Sequence, residues 1–176
     1  GVQGVNFIAI NTDIQSLNTC KADIKLQMGV KLTNGLGTGS NPDLGEKAAE
    51  ENKKDIEHLI EGADMVFIIA GMGGGTGTGA SPVVAEIAKS MDILTVGVVT
   101  KPFKFELSRK MKIAEMGIDS LKSCVDTLIT VPNQKLVEIS KAKVTFKEAM
   151  AKADDVLRQA IQGITDLIIF PGEINV

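Results

Sequence analysis

The stretch Gly71-Met72-Gly73-Gly74-Gly75-Thr76-Gly77-Thr78-Gly79 decides how this chain folds and what it can bind. It follows the apolar run at residues 65–70, typical of a buried strand, and precedes residues 80–89, typical of a helix with Pro82 in its first turn. Glycines let a backbone approach an anion closely, and the free N–H groups and dipole of a helix N-terminus favour negative charge. This order predicts a phosphate-binding turn. The alternative, a tight turn without a ligand, leaves the backbone entropy cost of six glycines unexplained.

Two familiar phosphate-binding patterns do not fit this turn. A P-loop ends in Gly-Lys-Ser/Thr, and the chain has no Gly-Lys pair. The dinucleotide-binding pattern is met only loosely, by Gly75, Gly77 and Ala80, and the next strand ends in Thr-Lys-Pro where a ribose-binding acid is required. No lysine or arginine lies between Gly71 and Ala88. The sequence therefore predicts phosphates held by backbone amides, threonine hydroxyls and a metal ion.

Composition narrows the class of protein. The 176 residues, 44% hydrophobic and 23% charged, suit one domain with a full core. A net charge of −3 without a basic cluster argues against nucleic-acid binding, and no apolar run is long enough to insert into a membrane.

Cys20 and Cys124 are expected to be free, buried thiols in a reducing cytoplasm. The one histidine, His58, lies in a polar stretch, so we expect a solvated side chain and no metal site built from protein ligands.

Strands and helices alternate along the chain. Apolar runs at 5–10, 65–70, 93–99 and 125–131, and a weakly alternating one at 23–28, predict strands. Helices are predicted at 14–19, 43–61, 80–89, 107–123 and 146–169, with a second glycine-rich loop at 34–42. We therefore expect an α/β fold in three layers: a largely parallel sheet flanked by helices, with a long central helix at its C-terminal end. Its ligand belongs at the carboxyl ends of the strands.

Several of these loops together resemble the tubulin/FtsZ superfamily, and specifically bacterial FtsZ. Residues 73–79 match the glycine-rich tubulin signature, which is highly specific. The other similar stretches are Asn11-Thr12-Asp13 and residues 35–42, 100–106, 131–133 and 153–164. The resemblance covers nearly the whole chain. It implies a GTP-binding domain over residues 1–176, truncated relative to the family, with GTP or GDP as ligand and Mg²⁺ on the phosphates.

The resemblance also implies roles for particular residues. Glu106 would contact the ribose, Asn133 the nucleoside, and Asp154 the N1–H and N2–H donors of guanine. An arginine is usual at the position of Lys110, and Arg109 lies beside it, so either cation could serve. The expected contacts with the rest of the nucleotide come from Asn11, Gly73, Gly74, Gly75, Thr76, Gly77, Thr78 and Gly79.

Two further departures concern the ends of the chain. The family begins with a strand and a glycine-rich loop on the phosphates, and this sequence begins after them. FtsZ completes its catalytic site with an Asn-x-Asp-x-x-Asp loop from the neighbouring subunit, of which only Asn175 is present, and the second FtsZ domain is absent as well. We therefore expect a fragment with weak or absent GTP hydrolysis on its own.

By resemblance, the parent protein is a cytoplasmic GTPase of bacterial cell division that assembles head to tail into filaments at mid-cell and contacts other division proteins. Two alternatives stay open. One is an NAD(P)-binding oxidoreductase, which the loose dinucleotide pattern allows. The other is an FtsZ-like interaction module that has lost nucleotide binding.

Overall fold

The computed structural model describes residues 6–102 and 108–132, which form five strands and six helices. The strands are β1 (Ile8–Asn11), β2 (Ile24–Gln27), β3 (Met65–Gly71), β4 (Leu94–Lys101) and β5 (Thr127–Pro132). The helices are α1 (Ile14–Thr19), α2 (Val30–Thr33), α3 (Pro42–Glu51), α4 (Lys53–Ile60), α5 (Thr76–Ser90) and α6 (Ser108–Lys122). The predicted helix at 146–169 and the positions of Glu106, Asn133, Asp154 and Asn175 lie outside the described residues.

All strand pairings in the described residues are parallel, as the alternation of strands and helices predicts. β1 pairs with β2, with Ile8 opposite Ile24. β4 lies between β3 and β5, with Val96 opposite Thr127 on one side and Phe67 on the other. The described strands thus form a two-stranded and a three-stranded sheet, where we expected one continuous sheet.

A cavity of about 630 Å³ separates the two sheets. It is lined by Phe7, Ile8 and Ile10 on the β1 side and by the six consecutive residues 65–70 of β3. Successive side chains of a strand point to opposite faces, so a cavity that touches six residues in a row borders the backbone edge of the strand. Among the described residues, β1 pairs only with β2, and these edges of β1 and β3 face the cavity without a partner strand. The described strands therefore form two separate sheets.

The core is built around α5, the helix that follows the glycine-rich stretch. Eight of its fifteen residues are buried, including Ala85 and Ala88, which are fully enclosed. Val99 of β4, Ala114 and Leu121 of α6, and Ile56 of α4 belong to the same buried cluster. Removing a valine or leucine side chain from water contributes about 1.5–3 kcal/mol, so this cluster fixes α5 against the sheet and sets the position of its N-terminus.

The predicted helix at 43–61 is two helices, α3 and α4, separated at Asn52. The Asn52 side-chain oxygen accepts the Gly29 amide hydrogen at 2.9 Å, and its nitrogen donates to Asp55 at 2.8 Å. Gly29 has a φ of 60°, and a β-carbon there would lie 2.6 Å from that of Ala48. The break therefore coincides with a contact between residues 23 positions apart, in a stretch that local periodicity presents as one helix.

The prediction for the start of α5 was also wrong, because the helix begins at Thr76, inside the glycine-rich stretch, and not at Ala80. The first intrahelical bond runs from the Gly79 amide to the Gly75 carbonyl at 3.0 Å. Pro82 consequently lies within the helix and not in its first turn. Residues 76–79, expected to be loop, are thus the helix N-terminus itself, which moves its unpaired N–H groups into the glycine-rich sequence.

The remaining elements differ from prediction in small ways. Helix α1 has the predicted bounds, β4 extends two residues beyond Val99 to Lys101, and the four-residue helix α2 was not predicted. Cys20 and Cys124 are free but half-buried, so the prediction of buried thiols was wrong. The His58 side chain is 86% exposed, as predicted, and lies 3.9 Å from Glu61. No helix in the described residues is long and apolar enough to cross a membrane.

Candidate functional site

Three loops meet at the carboxyl ends of β1 and β3 around a cavity of about 420 Å³. The first follows β1 and contributes residues 11–13 and Ser16; the second is the loop of residues 36–40; the third contributes residues 74–77 of the glycine-rich stretch. The sequence predicted a ligand site at this edge of the sheet, and the described loops do converge there.

The N-terminus of α5 opens into this cavity. Gly75, its N-cap residue, has no side chain to satisfy the first amides, and by helix geometry the N–H groups of Thr76, Gly77 and Thr78 have no partner within the helix. The helix is 15 residues long, so its dipole adds partial positive charge at this end. An anion in the cavity would therefore meet unpaired donors and a favourable field.

No basic side chain of the described cavity lining adds to these backbone donors. This described lining has one acid, Asp13, and no lysine or arginine. The Asp13 carboxylate caps α1, accepting the amides of Gln15 and Ser16 and the Ser16 hydroxyl. Polyphosphate in this cavity would be held by amides and hydroxyls, with the balance of its charge left to a bound cation.

Glycine is required at Gly75 and Gly77 by close packing. A β-carbon on Gly75 would overlap the Thr38 hydroxyl and lie 2.7 Å from the Asn41 amide nitrogen. One on Gly77 would lie 2.7 Å from the Gly71 carbonyl oxygen. The loop at 36–40 therefore packs on the N-terminus of α5 through the Thr38 side chain, with the backbone of Asn41 beside it.

Gly73 needs glycine for a second reason, its left-handed φ of 116°. A β-carbon there would also lie 2.7 Å from the Pro102 ring. The Gly73 amide donates to the Thr78 hydroxyl at 2.9 Å, and Thr78 is only 5% exposed. The buried Thr78 side chain therefore stabilises the turn through this hydrogen bond. Gly73, Thr78 and Gly79 do not line the cavity, whereas Gly74, Gly75, Thr76 and Gly77 do.

Asn11 lies in the cavity wall and orders its own loop. Its side-chain oxygen accepts the amides of Thr12 and Asp13 at 2.8 and 3.2 Å. Its side-chain nitrogen has no hydrogen-bond partner among the described residues. The arrangement leaves a donor of fixed orientation at the cavity, which suits the predicted contact with a nucleotide.

Arg109 and Lys110 stand apart from the described lining. Both are in the first turn of α6, with Arg109 exposed and Lys110 half-buried. The Lys110 carbonyl oxygen would lie 3.2 Å from a β-carbon on Gly73, so the first turn of α6 packs against the glycine stretch at Gly73. The choice between the two cations stays a prediction.

Of the cavity residues that were not among the predicted contacts, two are buried. Thr38 is 8% exposed and packs against Gly75, and Thr12 is fully buried and forms a 2.7 Å hydrogen bond with Thr76. Thr12 lies between Asn11 and Asp13 in the stretch that carried the family resemblance, which is the signal that could have found it.

The family model of the Tubulin/FtsZ family, GTPase domain, matches residues 2–141. The chain belongs to the tubulin/FtsZ family. The loops that form the cavity fall within the matched residues, and the parallel sheets flanked by helices are the fold of that GTPase domain. Membership does not favour the NAD(P)-dependent oxidoreductase, whose ribose-binding acid the chain lacks.

Solved structures of the tubulin/FtsZ family resemble this chain along most of its length. An empty FtsZ dimer from M. jannaschii is 50% identical, with a TM-score of 0.92, and covers 96% of this chain. A point mutant of the same protein gives the same identity, TM-score and coverage. CetZ from Methanosaeta thermophila strain DSM 6194 is 26% identical, with a TM-score of 0.73, and covers 92% of this chain.

The chain covers 49% and 50% of the two FtsZ chains and 44% of the CetZ chain. It thus spans about half the length of the tubulin/FtsZ proteins it matches. These relatives are archaeal, so the expectation of a bacterial source gains no support from them.

Proposed function

We propose that this chain is the guanine-nucleotide-binding part of a cell-division GTPase that assembles into filaments. The observation that carries the proposal is the convergence of the α5 N-terminus with the loops at 11–13 and 36–40 around one cavity, whose described lining contains no lysine or arginine. That arrangement suits a polyphosphate bound through backbone donors. The FtsZ resemblance selects the guanine nucleotide among polyphosphate ligands.

Mg²⁺ on the phosphates fits the chemistry of this site. Mg²⁺ keeps several water ligands and is commonly held by one or two carboxylates together with substrate phosphates. Asp13 is the carboxylate in the described lining, although it also caps α1. The cation would offset phosphate charge that no lysine or arginine of the described wall balances.

Different residues of this chain would contact different parts of the nucleotide. The amides of residues 74–77 bind phosphate oxygens, and the Thr76 hydroxyl and Asn11 amide add side-chain donors. Glu106 holds the ribose, Asn133 contacts the nucleoside, and Asp154 accepts from the guanine edge, as the resemblance implies. Positioning and electrostatic stabilisation would supply most of the rate of phosphoryl transfer to water.

In this proposal, GTP is hydrolysed by the assembled filament. In the proposed filament, subunits associate head to tail, and Asn175 acts on the nucleotide of the neighbouring subunit, as the resemblance implies. The protein would act in the cytoplasm at the division site, with other division proteins as partners. For the 176-residue chain alone we expect GTP binding with little turnover.

Isothermal titration with GDP, GTP, ATP and NADH, each with and without Mg²⁺, tests the proposal. We expect GDP and GTP to bind and ATP to bind at least tenfold more weakly, because adenine lacks the donor pair that a carboxylate accepts. Tight NADH binding without a guanine preference would support the oxidoreductase instead. No heat with either guanine nucleotide at high protein concentration would support the interaction module without nucleotide binding.

A further inference from the structure

Thr12 and Thr76 form a hydroxyl pair across the cavity wall. Their Oγ1 atoms are 2.7 Å apart, although the residues are 64 positions apart in sequence. Thr12 is 0% exposed, whereas Thr76 is half-buried at the start of α5. The pair joins the loop after β1 to the helix N-terminus that faces the proposed phosphates.

The peptide groups around Thr12 fix its position. Its amide donates to the Asn11 side-chain oxygen at 2.8 Å, and its carbonyl accepts the Thr33 hydroxyl at 3.4 Å. The Thr12 backbone is therefore held on both sides of its side chain. The buried hydroxyl lies 2.7 Å from the Thr76 hydroxyl.

Burial decides which hydroxyl donates. Among the described residues, Thr76 is the hydrogen-bond partner of the Thr12 hydroxyl. A buried hydroxyl hydrogen without an acceptor costs about 1–3 kcal/mol. We therefore infer that the Thr12 hydrogen points at the Thr76 oxygen, which leaves the Thr76 hydrogen available to a ligand in the cavity that Thr76 lines.

We propose that Thr12 is a positioning residue for nucleotide binding: its buried hydroxyl donates to Thr76 and so directs the Thr76 hydrogen toward a phosphate oxygen. The inference rests on the proposed function and adds a residue outside the family contacts named above. Two hydroxyls in series polarise each other, which strengthens the outer bond. Thr12 itself does not touch the nucleotide.

A double-mutant cycle on GDP binding tests this role. The variants are Thr12→Val, Thr76→Val and the combination, each titrated with GDP and Mg²⁺ by calorimetry. We expect Thr12→Val to weaken binding by on the order of three- to tenfold, the effect of about one hydrogen bond. Because Thr12 acts through Thr76, we expect the double variant to bind no more weakly than Thr76→Val.

Two further variants separate positioning from structural support. Thr12→Ser keeps the hydroxyl, and we expect its affinity to be within about twofold of the wild type, since the donor is retained. Thr95→Val is the matched control: Thr95 is 1% exposed and donates to the Ile93 carbonyl at 2.9 Å, at the opposite end of β4. It should lower stability in urea without changing the GDP affinity.

The outcomes discriminate clearly. Fold-losses that multiply in the double variant, an unchanged affinity for Thr12→Val, or a Thr12→Ser variant as weak as Thr12→Val would each overturn the positioning role. Wild-type protein that fails to bind GDP would instead refute the proposed function, and with it the inference. If Thr12→Val does not fold, Thr12→Ala completes the same cycle.

Discussion

Gly79 of α5 lies directly against the carbonyl group of Pro42 in the first turn of α3, with no room between them for a β-carbon. The contact is reciprocated one turn away, where Gly45 of α3 lies against the Gly75 carbonyl. Two helices that meet backbone to backbone place both of their N-termini at one edge of the sheet. The glycines of the signature therefore serve helix packing in addition to their proposed role in binding the ligand.

The first prediction concerns this crossing. We expect Gly79→Ala to lower the free energy of unfolding by about 1–3 kcal/mol, because its β-carbon would overlap Pro42 and lie 2.7 Å from the Glu46 amide nitrogen. Gly74→Ala is the matched control, since nothing lies within 4 Å of its β-carbon position. Urea unfolding followed by circular dichroism measures both. Equal stability of the two variants would contradict the close packing.

The second prediction concerns charge at the cavity. Asn11→Asp keeps the acceptor for the amides of Thr12 and Asp13, so the loop should hold its shape, but it replaces an amide donor with negative charge. We expect GDP to bind on the order of tenfold more weakly at low salt, and the loss to shrink as ionic strength rises. Asn18→Asp, an equal charge change on the exposed side of α1, is the control. A loss independent of salt would argue against an electrostatic origin.

The third prediction concerns the Thr78 hydroxyl, which accepts the Gly73 amide inside the protein. Thr78→Val leaves that buried N–H unpaired, so we expect the free energy of unfolding to fall by about 1–3 kcal/mol. The same substitution at Thr130, an exposed position of β5, should change it by less than about 0.5 kcal/mol. Thermal and urea denaturation of the pair measure the difference, and similar values for both would show that the bond contributes nothing.

The fourth prediction concerns the N-cap of α3. The Asn41 side chain accepts the Asp43 amide at 3.0 Å, so Asn41→Ala should destabilise the chain by about 1 kcal/mol. Asn41→Ser retains a capping oxygen and should lie within a few tenths of a kcal/mol of the wild type. Chemical denaturation without nucleotide is the measurement. A serine variant as unstable as the alanine variant would exclude the cap as the cause.

Local sequence was a good guide wherever local physics dominates. The helix predicted at 14–19 has its predicted bounds, and the apolar runs at 65–70 and 93–99 predicted β3 and β4 to within two residues. Prediction failed where distant residues intervene. Asn52, where α3 ends, binds Gly29, and the glycine stretch in which α5 begins packs on α3. Neither partner is visible in a window of neighbouring residues.

The sequence alone determined the class of fold and the chemistry of the site. Parallel strands alternating with helices, a glycine-rich turn without lysine, and the family signature are properties of residue order and composition. Tertiary structure decided which groups meet. The Thr12 hydroxyl lies beside that of Thr76, and Gly79 packs against the Pro42 carbonyl group. Arg109 and Lys110 lie outside the described cavity lining. Contacts between residues far apart in sequence depend on how whole elements pack, and the buried cluster around α5 sets that packing.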